Sequence, residues 1–165
     1  MLVGYDPKWP GRFEEERALL EGVLAPWLVD GVHHIGSTAV PGIAAKPIID
    51  MIAGVRDLEE ARAAFERLRD HGYVFAPHRS DEAHHFAKPA VADPTHSLHL
   101  TVPGSDLWRE RLAFRDALRG DAALAAEYEM LKLRLAADRD TYTAKKRPFV
   151  ARVLATRGIE LHPRS

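Results

Sequence analysis

One stretch of the sequence gathers several groups suited to phosphate. His33-His34-Ile35-Gly36-Ser37-Thr38 is followed, after a loop, by Lys46-Pro47-Ile48-Ile49-Asp50. A short strand over Val32–Ile35 stops at Gly-Ser-Thr, where backbone N–H groups and two hydroxyls face one small volume. Glycine lets an anion approach closely, and a helical turn beginning there aims its positive end at it. Gly36, Ser37 and Thr38 are therefore candidate phosphate ligands, with Lys46 as an added cation. Asp50 is flanked by Ile48, Ile49, Met51 and Ile52. An unpaired carboxylate in such company is costly, so Asp50 calls for a cation, a donor network or a metal. Each feature alone has an ordinary structural explanation. Their spacing makes the chemical one sharper.

Two histidines add to this set. On a strand over His96–Val102, residues Ser97, His99 and Thr101 share one face, and Leu98, Leu100 and Val102 share the other. If the apolar face packs on helices, His99 points with the polar set, toward Asp50. His85 lies on the facing strand of a hairpin. An aspartate with one or two imidazoles suits Zn²⁺, Mn²⁺ or Fe²⁺ better than Mg²⁺. The competing explanation is that His85 and His99 only bond to carboxylates or to an anion. His33, His71, His78, His84, His96 and His162 are read as surface or turn residues.

The second half of the chain supplies cations. Arg115 falls within the helical arc of Trp108, Leu112 and Leu118, where a guanidinium needs a carboxylate, carbonyls or a bound phosphate. An ion pair with Asp50 or Glu127 would satisfy it equally. Lys146 lies between Tyr142 and Phe149 at helical spacing. A stem laid across the rings is its ordinary explanation, and a phosphate contact the functional one.

The elements that must position these groups follow an α+β order. The first helix is expected over Phe13–Leu28, then strands over Val32–Ile35 and Pro47–Val55. Asp57 and Glu60 have capping-box spacing ahead of the stripe Leu58, Ala61, Phe65 and Leu68, and Gly72 sits at the C-terminal cap. Strands over Tyr73–Ala76, Ala83–Lys88 and His96–Val102 follow, the last two forming a hairpin around Pro89–Pro94. Helices over Leu107–Arg119, Ala122–Ala137 and Thr141–Arg157 complete the chain, the last bent or restarted at Pro148.

Composition sets the outer bounds. A chain of 165 residues fits one domain. The formal net charge of −1 excludes a whole-molecule polycation made for duplex nucleic acid. With no cysteine, disulfides, thiolate metal sites and a cysteine nucleophile are excluded. No apolar run is long enough to span a bilayer and no signal pattern follows Met1, so a cytoplasmic protein with no membrane contact is expected.

The ordered motifs His34-Ile35-Gly36-Ser37-Thr38-Ala39-Val40-Pro41-Gly42, Ala45-Lys46-Pro47-Ile48-Ile49-Asp50 and Leu98-His99-Leu100 resemble those of the GrpB family. So do Phe114-Arg115-Asp116, the pattern Tyr142, Lys146, Phe149, and the opening Tyr5-Asp6-Pro7-Lys8-Trp9-Pro10. The resemblance covers nearly the whole chain. It implies a nucleotidyltransferase-like (polymerase-beta-like) mixed sheet with flanking helices, and a relation to a domain fused to dephospho-CoA kinase in some bacteria. In that superfamily the Gly-Ser turn holds a triphosphate and strand carboxylates hold Mg²⁺ against it. By that likeness the ligand is a nucleotide or another phosphorylated small molecule, with Mg²⁺ or Mn²⁺ if the protein is catalytic. Transfer of a nucleoside monophosphate would then use Asp50 for the metal and His99 as ligand or base. The superfamily's second carboxylate falls at Ile52, which favours the alternative of a non-catalytic binding or accessory module. Metal-dependent hydrolysis at an Asp–His site is a third reading.

Overall fold

The computed structural model describes residues 1–76, 81–136 and 139–162, with side chains omitted for 139–143. Its elements run α1 (Trp9–Val23), β1 (Leu28–Ile35), a 3₁₀ turn (Ser37–Ala39) and β2 (Ile49–Val55). A 3₁₀ segment (Glu60–Ala64) leads into α2 (Phe65–Asp70), followed by β3 (Val74–Phe75), β4 (Ala83–Lys88) and β5 (His96–Thr101). The helical half is α3 (Asp106–Gly120), α4 (Ala122–Leu135) and α5 (Arg139–Ala155). The strands lie in the order β1-β2-β5-β4-β3, with β2 and β5 parallel and the other neighbours antiparallel. The α+β order with a helical second half is the one the pattern implied, and the mixed sheet the one the resemblance implied.

Several boundaries differ from the sequence reading, each for a local reason. The first helix begins at Trp9 instead of Phe13, because Pro10 sits in the first turn, where a missing N–H costs nothing. Trp9 extends the buried stripe through Phe13 and Leu20. The first strand starts at Leu28 rather than Val32, and its alternation is broken by a register shift around Asp30 and Val32. The Val32 N–H there donates to Glu21 Oε2 at 3.2 Å. Asp57 does cap the next turn, accepting from Glu60 N at 2.9 Å, but the Glu60 carboxylate pairs with Arg56 instead of closing the box. The last helix runs on through Pro148 rather than restarting.

Register decides what each sheet face carries. The row His34, Met51, Leu98 and Phe86 faces α1 and α2, where Trp9, Leu20, Leu24, Leu68 and Leu100 complete the main core. The opposite face carries the rows Ile35, Asp50, Ser97, Ala87 and His33, Ile52, His99, His85. Helix α3 lays Trp108 and Leu112 over Ile35 and Ile52. A second core of Leu118, Tyr128, Phe149 and Val153 takes in Val40 and Ile43 from the loop before β2. That loop is clamped between sheet and helices.

His84 lies deeper than expected, and His34 is buried as well. His84, read as a surface residue, is buried with its Nε2 at 2.7 Å from Leu58 O and its ring edge-on to Phe65. His34 stacks on Phe13, and its Nε2 is 2.8 Å from the Thr38 hydroxyl. Because Thr38 donates its hydroxyl proton to Ile48 O, His34 must donate to Thr38 through Nε2. Burial, with Arg119 nearby, pushes the His34 pKa down to about 4. Between pH 6.5 and 4 the unfolded chain therefore binds the extra proton, and stability falls as pH falls, by on the order of 3 kcal/mol at most. Thermal unfolding followed across this range should show a drop that His34→Gln flattens; equal slopes for the two proteins would remove His34 as its source.

Candidate functional site

The site is built on the junction of β1 and β2. Pairing of Ile35 with Asp50 sets the Asp50 carboxylate beside the residue that follows, Gly36. Gly36 has φ 73° and ψ −173°, a conformation reserved for glycine. A Cβ there would also lie 3.0 Å from Asp50 Oδ2 and 3.1 Å from Asp50 Cβ. The glycine is thus required twice, by the backbone and by the carboxylate. Beyond it, Ala39 N–H donates to Gly36 O at 3.1 Å and closes the 3₁₀ turn. Ser37 is partly exposed on this turn, whereas Thr38 is buried with its hydroxyl committed to His34 and Ile48 O. Ser37 is therefore the hydroxyl available to a ligand, and Thr38 is a strut.

Strand β5 brings the imidazoles. Asp50 pairs with Ser97, and Ile52 with His99, which in turn pairs with His85. His99 Nε2 stands 3.5 Å from Asp50 Oδ1. The His85 and His99 rings stack at 4.5 Å, and His85 Nε2 lies 2.8 Å from Ser97 Oγ. Asp50 Oδ1 is buried yet accepts no well-formed hydrogen bond. Burial pushes the Asp50 carboxyl up, but His99, then Arg111 and His85, outweigh it and hold the group below the ordinary carboxylate range. The result is a buried, charged oxygen whose nearest cationic partner, His99, stands at the outer limit of hydrogen-bond distance.

A divalent cation fits that oxygen under one condition. The Asp50–His99 separation allows one ion to touch both, since ligand distances near 2.0–2.2 Å place neighbouring donors about 3 Å apart. Among the described residues, no three histidine or carboxylate groups converge on one point. His85 turns its Nε2 to Ser97 and not to Asp50. An ion here would complete its shell with water and a ligand's phosphate oxygens, the habit of Mg²⁺ or Mn²⁺. A structural zinc cage would need more protein donors.

The cations fall into two groups. Arg115 donates to His34 O at 3.2 Å and pairs with Asp116 at 2.8 Å, reaching neither Asp50 nor Glu127. With Arg119, Tyr5 and Phe13 it lines a cavity of about 310 Å³ on the α1 side of the turn. Lys46 is exposed on the loop before β2, and both it and Lys146 act on Lys132 of α4. Arg115 and Lys146, both read as phosphate candidates, thus lie in different places. His78 lies outside the described residues, and Tyr142 is described only in its backbone, within α5.

A model of the GrpB protein family matches residues 1–156. The chain belongs to the GrpB family. It is 36% identical to the glutamate-rich protein GrpB of Alkalihalophilus pseudofirmus, over 93% of both chains. The crystal structure of the conserved protein GrpB from Enterococcus faecalis superposes with a TM-score of 0.82, at 31% identity over 93% of this chain and 94% of that one. The chain is also 29% identical to dephospho-CoA kinase of Mycolicibacterium paratuberculosis, over 90% of this chain but 43% of that protein.

Within this family fold, the sequence pointed to Gly36, Asp50, His85 and His99, and the structure brings those four together. Arg111 and Lys132 are not among the residues the sequence pointed to, because what sets them apart, a charge acting on Asp50 and burial against Ala44 O, is non-local. The Gly36 contact can be tested against Gly42, which also has positive φ but open space around its Cα. Gly36→Ala should lower stability by about 1–3 kcal/mol and by more than Gly42→Ala in chemical unfolding. Equal losses would mean that the Asp50 contact adds nothing to backbone strain.

Proposed function

We propose that this protein binds a nucleotide or another phosphorylated small molecule together with one divalent cation, on the sheet face that carries Asp50. The observation that carries this reading is the buried, unsatisfied Asp50 Oδ1 beside His99 and the Gly36-Ser37 turn. Asp50 holds the cation, with His99 beside it. The cation supplies neutralisation of the phosphate charge. Ser37 donates to a phosphate oxygen, and Arg111, whose charge already acts on Asp50, balances the anion from α3. The resemblance to the nucleotidyltransferase superfamily supports the same assignment, with the Gly-Ser turn on the triphosphate.

Binding without transfer is the form of this reading that the geometry favours. The position of the superfamily's second carboxylate is Ile52, fully buried under Trp108 in an apolar cluster with Ile35. A charged ligand there has no room or solvation. The likeness to part of a protein named dephospho-CoA kinase supports an accessory role of this kind. Nucleotidyl transfer is the second reading, favoured by His99, which stands where it could take a proton from an acceptor hydroxyl.

Calorimetric titration of metal-depleted protein with ATP, GTP and CTP, with and without Mn²⁺, separates these. The expected result is Mn²⁺-dependent binding that Asp50→Ala abolishes and Ser37→Ala weakens by about 3–10-fold, the value of one neutral hydrogen bond. Pyrophosphate release from a bound triphosphate would favour transfer. No binding of any nucleotide, with Asp50→Ala altering only stability, would overturn the proposal.

A further inference from the structure

Strand β1 is an edge of the sheet, and the cavity of about 310 Å³ beside it is walled by β1, α1, α3 and the loop after β1. Most polar groups on these walls are already bonded to one another or to the backbone. Thr38 joins His34 to Ile48 O, and Arg115 is shared between Asp116 and His34 O. Arg17 pairs with Glu14 at 3.2 Å, and His33 lies 2.8 Å from Asp30. Two groups stand apart. Arg119 donates Nε–H to Ala39 O at 2.7 Å, and among the described residues its terminal N–H groups meet no acceptor. Tyr5 sets its ring edge-on to Trp9 at 5.3 Å, and its hydroxyl likewise has no partner among the described residues. Arg119 is exposed and Tyr5 half-buried, so both can be reached from solvent.

The rest of the lining is apolar, chiefly the Phe13 ring, Pro10 and Pro41. Apolar walls with a few polar groups set among them are the usual form of a small-molecule site. The bond to Ala39 O fixes the Arg119 guanidinium and leaves its outer N–H pair, a fork that matches a planar carboxylate. Charge points the same way. Arg17 is balanced by Glu14 and Arg115 by Asp116, which leaves one positive charge, on Arg119. A phosphate monoester, at roughly −1.5 to −2, would exceed that charge and face the Glu14 carboxylate. We infer that this cavity binds a small carboxylic acid as its carboxylate, held by Arg119 and the Tyr5 hydroxyl, with its apolar body against Phe13, Pro10 and Pro41. At roughly 30 Å³ per water-sized unit the space holds about ten such units, enough for one ring or a short branched chain. The assignment goes beyond the phosphate reading, since it uses neither Asp50 nor Ser37. The two sites share only the Ser37–Ala39 turn, of which Thr38 and Ala39 line the cavity.

The test uses benzoate and cyclohexanecarboxylate as probes, with benzamide as the uncharged counterpart, and no metal or nucleotide. Titration of the full chain is followed by amide chemical shifts. The carboxylates should bind with dissociation constants on the order of 1–10 mM, as expected for ligands of this size, and shift the amides of Tyr5, Phe13 and Ala39. Benzamide should bind about tenfold more weakly or not at all. Arg119→Gln should weaken benzoate by about 10–100-fold and Tyr5→Phe by about 2–10-fold, while Asp50→Asn stays within about twofold. Tyr5→Phe keeps the ring against Trp9, so it tests the site even if Arg119→Gln loosens the loop at Ala39. The inference is overturned if neither carboxylate gives saturable shifts at these amides, if benzamide binds as tightly as benzoate, or if both variants bind benzoate as tightly as the wild type. Failure of Mn²⁺ or nucleotide binding at Asp50 would leave this result untouched, so the two claims are read separately.

Discussion

The structure depends on a carboxylate set against a glycine. Asp50 enters β2 at the point where β1 ends, and its Oδ2 occupies the space that any side chain at position 36 would need. Because Gly36 alone can take that backbone conformation, the chain turns sharply there. The turn sends residues 37–46 out to the helical half, where Val40 and Ile43 enter the second core. One contact thus fixes the end of a strand, the direction of a loop and the position of a charged oxygen. The unsatisfied Oδ1 is the price of that arrangement, held in check by His99 and Arg111.

Polar groups buried elsewhere are treated differently. Glu16, in the buried stripe of α1, accepts from Tyr73 Oη at 2.6 Å and from Lys88 Nζ, with His96 at 3.8 Å. Burial pushes its carboxyl up, yet Lys88 and Tyr73 outweigh it. His34 is satisfied as a neutral donor to Thr38. These clusters close on themselves and read as architecture. The buried Asp50 Oδ1 does not close in this way.

How much of this was legible depended on the range of the interaction. Asp50, His99 and His85 could be placed together because strand alternation fixes faces from the sequence itself, and the register then did the rest. Gly36 was legible as a turn glycine, though not as the neighbour of Asp50. Arg115 was legible as a cation in an apolar arc, but its partners, Asp116 and His34 O, could not be chosen from spacing alone. Lys132 was invisible. On α4 it looks like any surface lysine, and its burial arises from a loop nearly ninety residues away settling on the helix. The missing carboxylate at Ile52 was plain in the sequence, yet only the packing of Trp108 shows that the space has been filled.

The central claim is that Asp50 Oδ1 is a ligand position for a cation shared with a phosphorylated molecule. A crystal soaked with Mn²⁺ and a nucleotide, measured for anomalous scattering, tests it most directly. The account predicts a manganese peak about 2.0–2.2 Å from Asp50 Oδ1, with phosphate oxygens completing its shell over the Gly36-Ser37 turn. A nucleotide bound elsewhere with no metal at Asp50, or a carboxylate that closes onto His99 alone, would contradict it.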